Sequence, residues 1–151
     1  EIGLALNILE KLNKPVLVGI HIKKNGKLPS NESLTDIIKK YKNNNWLGIV
    51  LACVSMDTVN YSINEIRHLN LPFGFKVNLW AVEEPLPVHK FNKSKPNEIG
   101  QNPNVVLGSK KEITGEHFYK FAKNLKDKGA TILGGCCETK PIHISALSRL
   151  K

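Results

Sequence analysis

Four short runs of β-branched, aliphatic and aromatic residues punctuate the chain, at residues 16–22, 46–53, 72–80 and 131–137. Between and after them, apolar residues recur at helical spacing. Nearly continuous apolar runs describe strands buried on both faces, and burial on both faces requires a parallel sheet with packed crossover helices. The predicted order is a helix over 2–12 and then four strand–helix units. The first unit places Leu34, Ile37, Ile38 and Tyr41 on one face of a helix over 31–41, and the second places Val59, Ile63, Ile66 and Leu69 on another reaching residue 69. Thr114 is a cap and Gly129 a stop for a helix over 115–128, and Pro141 opens the last one. Residues 81–108, rich in Pro and Lys, form a long connection with a short extended piece at 105–107; connections of this length are usually functional or disordered. Four such units amount to half of a (β/α)8 barrel, an α/β fold whose sites lie at the C-terminal ends of the strands.

The length of 151 residues predicts one domain, and 41% hydrophobic with 23% charged residues describes a soluble globular chain. No run of about 18 apolar residues is present, so no membrane-spanning helix is expected. The start, Glu1-Ile2-Gly3-Leu4, carries neither a secretory leader nor an initiator Met, and reads as the middle of a longer protein. A formal charge of +9 raises the question of nucleic acid. The lysines are spread over helices and loops, without aromatic interleaving, so a solvated basic surface is the expected reading and no nucleic-acid or membrane partner is. Three cysteines, two of them adjacent, fit a reduced, cytoplasmic setting better than a disulfide framework.

The chemistry concentrates where the fourth run ends. Gly134-Gly135-Cys136-Cys137 puts two thiols at a strand end, with glycines that let backbone or ligand approach closely. Cys53 ends the second run and is the third thiol. Three thiols at strand ends offer a soft-metal site; the alternative is that Cys53 is simply a small buried hydrophobe. Trp80 is a candidate for cation–π contact or rim packing, and His143 for packing or capping in the first turn of the last helix. His21 reads as a polar residue beside the same face, and His68, His89 and His117 show no metal spacing.

Gly134-Gly135-Cys136-Cys137 followed by Pro141-Ile142-His143-Ile144-Ser145-Ala146-Leu147 resembles the signature of the homocysteine-binding domain. That domain occurs in homocysteine S-methyltransferases, betaine-dependent methyltransferases and cobalamin-dependent methionine synthase. The resemblance implies the C-terminal half of a (β/α)8 TIM barrel, from its fourth to its eighth helix over residues 1–151, with the N-terminal half upstream. It implies Zn²⁺ on Cys53, Cys136 and Cys137, homocysteine as substrate and a small methyl donor of onium type, with methionine as product. Asn78 sits where the family carries an Asn close to homocysteine; substrate contact and loop capping are both open for it. Glu1 matches the second of two family glutamates, and the first, which helps hold homocysteine, would lie upstream. The chain departs from the pattern at Ala52, where Asn is usual, at Val77, where Pro is usual, and at Glu138, where a small or basic residue is usual. Two other functions remain open: a degenerate homocysteine- or zinc-binding protein without catalysis, and a dithiol redox or metal-buffering protein using Cys136 and Cys137. A half barrel would expose strand edges, so completion by association into a homo-oligomer is a further expectation.

Overall fold

The computed structural model describes residues 2–41, 45–82 and 107–151. The four apolar runs form β1 (Val16–Ile20), β2 (Trp46–Ala52), β3 (Phe73–Val77) and β4 (Ile132–Gly135). All neighbours pair in parallel, in the order β1-β2-β3-β4. Among the described residues five helices alternate with them: α1 (Ile2–Lys11), α2 (Leu34–Tyr41), α3 (Met56–Ile66), α4 (Gly115–Asp127) and α5 (Pro141–Ser148). Strand order that never reverses means crossovers of one hand always land on the same side, so the helices share one face. A doubly wound sheet would show a reversal. The arrangement is consistent with part of a barrel.

The register shows which face the helices cover. Val18, Ile49 and Phe73 lie side by side, as do Ile20, Leu51 and Phe75. These rows join Leu34 and Ile38 of α2, Ile63 and Ile66 of α3, and Phe118 and Leu125 of α4 in one buried core. Phe75 is its centre: fully buried, with the rings of Phe121 at 4.9 Å and Phe118 at 6.4 Å, both edge-on. The opposite face is open. Leu17, Gly19 and Lys76 are exposed on it, and an open cleft runs along the free edge of β4 between Lys126, Leu133 and Leu147.

Three expectations need correction. The 16–22 and 72–80 runs are longer than their strands, because each ladder ends where a side chain or turn takes over the backbone partners. His21 Nδ1 meets Ala52 O at 3.3 Å, and Asn78 turns to Cys53. The helix at the start was given one broad apolar face, yet Leu4, Ile8 and Leu12 are exposed and Leu6 alone of its described side chains is buried. The physical reason is position: α1 precedes edge strand β1, which has sheet on one side only. Of the 81–108 connection, residues 83–106 lie outside the described residues, as do Lys42, Asn43 and Asn44. Leu107 is buried and helical rather than extended.

Because Phe75 is packed on all sides, Phe75→Ala should destabilise the fold by about 3–5 kcal/mol. Urea denaturation checks this, and a loss below about 1 kcal/mol would show that the aromatic cluster is not the core's centre.

Candidate metal centre

The ends of β2 and β4 are held at one height by the strand between them. Cys53 N–H donates to Lys76 O at 2.7 Å, and Cys136 N–H donates to Val77 O at 2.7 Å. One residue further on, Asn78 N–H donates to Val54 O at 2.9 Å and Leu79 N–H to Cys137 O at 3.0 Å. The last residues of β3 therefore fasten a cysteine-bearing segment on each side. The three sulfurs converge as a result, every pair within 4.8 Å. Cys137 Sγ is 3.8 Å from both Cys53 Sγ and Cys136 Sγ. Four sulfurs around a zinc at about 2.3 Å stand about 3.8 Å apart at tetrahedral angles, so the observed spacing fits that donor set. All three cysteines are free and half-buried.

Cys53 gains its aim at a conformational cost. Its φ of 56° is left-handed, a conformation that non-glycine residues rarely adopt. Such strain persists only where surrounding contacts enforce it, and it gathers at functional sites. Asn78 is the enforcing side chain: buried, it donates from Nδ2 to Cys53 O at 2.7 Å, and its Oδ1 accepts from Trp80 N–H at 3.3 Å. The capping role left open for Asn78 is thus present in the structure. On the other strand, Gly135 leaves room that nothing larger could share, since a Cβ there would lie 2.4 Å from Thr139 Oγ1. Thr139 uses the space to donate from Oγ1 to Cys136 O at 2.6 Å.

His143 is not at the sulfurs. It is buried in the first turn of α5, where Nδ1 accepts from Lys140 N–H at 2.9 Å and Nε2 pairs with Ile113 O at 2.9 Å. A ring accepting at Nδ1 and donating at Nε2 is neutral, and it ties the loop after the cysteines to the start of α4. His117 caps α4 beside Thr114, His68 lies on the surface, and His89 falls outside the described residues. Trp80 is half-buried directly after the Asn78 turn. Thr139 and Ser55 escape motif reading. Ser55 caps α3 by accepting from Thr58 N–H at 3.1 Å, and its position two residues after Cys53 is the only hint of that work.

Two of the three thiols, Cys53 and Cys137, resist ionisation. Burial, then the neighbouring thiols of Cys136 and Cys137, push the Cys53 thiol up to about 12, and burial also raises Cys137. A divalent cation reverses the balance, because it favours the thiolates that mutual repulsion disfavours.

The model of the homocysteine S-methyltransferase family matches residues 1–150. The chain belongs to that family. No curated protein sequence matches it significantly. In this homocysteine S-methyltransferase family member, two of the residues that carried the resemblance, Cys136 and Cys137, lie with Cys53 at the ends of β4 and β2, while His143 of the same stretch braces the loop behind them. Among the described residues, no helix is long and apolar enough to cross a membrane.

The sign of the pH effect on metal binding follows from the raised thiols. At neutral pH Cys53 and Cys137 keep their protons, so an incoming cation must displace them, and affinity should climb with pH. Competition with a zinc chelator between about pH 6 and 8 should show the logarithm of the affinity rising by about two or more per pH unit. A flat dependence would mean that these thiols do not ligate.

Proposed function

We propose that the protein is a zinc-dependent homocysteine S-methyltransferase domain, passing a methyl group from an onium-type donor to homocysteine and so making methionine. The observation that supports this most is the convergence of Cys53, Cys136 and Cys137 to a spacing suited to a tetrahedral thiolate site with one position left over. A bound Zn²⁺ would lower the pKa of a thiol in that fourth position, so that homocysteine is presented as its thiolate. The protein's own part is placement. The β3 backbone and Asn78 fix Cys53, and Thr139 and His143 fix the loop that carries Cys136 and Cys137. Asn78, in the position where the family carries an Asn close to homocysteine, would contact the substrate as well as brace Cys53.

The reaction balances simply. The sulfur lone pair forms the new S–CH₃ bond as the bond between methyl carbon and donor heteroatom breaks. The electron pair of the broken bond stays on the donor, which leaves neutral. The thiol proton would pass to solvent before transfer, so that the sulfur attacks as its thiolate. Attack is in line, and rate comes mainly from holding the two partners in register.

On this reading the described elements are the later half of a (β/α)8 barrel, and the free sheet edges and the open face with Leu17 are what further strand–helix units would cover. A cytoplasmic setting agrees with free thiols. The dithiol alternative has less support: adjacent cysteines have Cα atoms about 3.8 Å apart, short of the separations that disulfides prefer.

Zinc-loaded protein should make methionine from homocysteine with a methylated sulfonium or ammonium donor. Cys53→Ala and Cys136→Ala should each lose stoichiometric zinc and at least about 99% of activity. Metal analysis and product assay check both. Zinc held in full by Cys53→Ala would remove that residue from the site, and full zinc without turnover by the native chain would favour the degenerate reading.

A further inference from the structure

The rung of the sheet just below the sulfurs is unusual. Ala52, Lys76 and Gly134 are register partners, so they share the open face of the sheet. Cys53 follows Ala52 directly, and Cys136 comes two residues after Gly134. Lys76 is the one exposed residue of β3, whose other four residues are buried. Lys76 is thus a lone charge on an otherwise apolar central strand, standing on the open face. Among the described residues its ammonium has no hydrogen bond or ion pair.

The rung also has space. Its flanking residues are an alanine and a glycine, so neither neighbour of Lys76 on the rung projects a long side chain. A Cβ added to Gly134 would meet nothing closer than Phe75 O at 3.6 Å, so packing does not demand a glycine there. Below, the side chain of Ile132 reaches across the face, its Cδ1 2.8 Å from the ideal Cβ position of Gly48. The open face thus has Ile132 across its floor, a small-residue rung with one ammonium, and three thiols at the rim.

We propose that Lys76 is a specificity-determining residue that binds the carboxylate of the thiol-bearing amino acid whose sulfur joins the three cysteines. This rests on the function proposed above. Four bonds separate the sulfur of homocysteine from its carboxyl carbon. One to two residues along a strand is about 3.3–6.6 Å, a span of the same scale, so a sulfur at the rim directs its carboxylate toward the Lys76 rung. An ammonium is a compact donor suited to that anion, and no other cation stands on this rung.

The test uses protein loaded with Co²⁺, titrated with homocysteine and with 3-aminopropane-1-thiol, which keeps the thiol and amine but lacks the carboxylate. Thiolate-to-cobalt absorption reports entry of sulfur without any need for turnover. The native chain should favour homocysteine by about tenfold or more. Lys76→Met should abolish that preference while leaving 3-aminopropane-1-thiol unchanged, which also shows the variant to be folded. Lys76→Arg should retain most of the preference. Equal weakening of both thiols by Lys76→Met, or an undiminished preference for homocysteine, would overturn the assignment. A native cobalt spectrum that answers to neither thiol would instead overturn the proposed function, and the role of Lys76 with it.

Discussion

The site depends on a strand that contributes no ligand. The end of β3 presents Lys76 O to Cys53 N–H and Val77 O to Cys136 N–H, then Asn78 N–H and Leu79 N–H to carbonyls on the same two segments. These are ordinary parallel-sheet bonds continued one or two residues past the ladder. They bring Cys53 and the adjacent pair Cys136 and Cys137, 84 residues on at the far end, into one cluster. A four-stranded sheet in sequential order makes this possible, because β2 and β4 are each one strand from β3 and end at the same level. The core beneath, centred on Phe75 one residue before Lys76, makes the pillar rigid.

Around that pillar the structure accepts local costs. Cys53 and Glu138 both hold left-handed backbone, with φ of 56° and 62°. Each such residue costs of the order of 1 kcal/mol or more, and both flank the sulfurs. Burial and mutual repulsion keep protons on the Cys53 and Cys137 thiols until a cation arrives. The cluster thus combines a strained Cys53, raised Cys53 and Cys137 thiols and a sulfur spacing that matches a tetrahedral thiolate donor set.

Much of this was legible in the residues. The apolar runs announced parallel strands because burial on both faces leaves no alternation, and Gly134-Gly135-Cys136-Cys137 with Pro141 and His143 carried the family. What could not be read was set by tertiary partners. The strand ends were overestimated because an apolar residue such as Ile22 is equally at home in a strand or in a buried loop. The exposure of Leu4, Ile8 and Leu12 depends on what lies beside an edge strand, which periodicity does not encode. Asn78 was recognised by position, yet its bond to Cys53 O needs a contact across 25 residues. Lys76 is a lone charge within an apolar strand, and the face it joins is set by its register with Ala52 and Gly134, which the sequence does not encode. The third thiol, Cys53, was placed at a strand end correctly, but its left-handed turn has no signature in Ala52-Cys53-Val54.

The most direct test of the central claim is X-ray absorption at the zinc edge, on zinc-loaded protein with and without homocysteine. The account predicts three sulfur neighbours at about 2.3 Å and one lighter atom without the substrate, changing to four sulfurs when homocysteine is added. Fewer than three sulfurs in the free protein, or a first shell that homocysteine leaves unchanged, would contradict it.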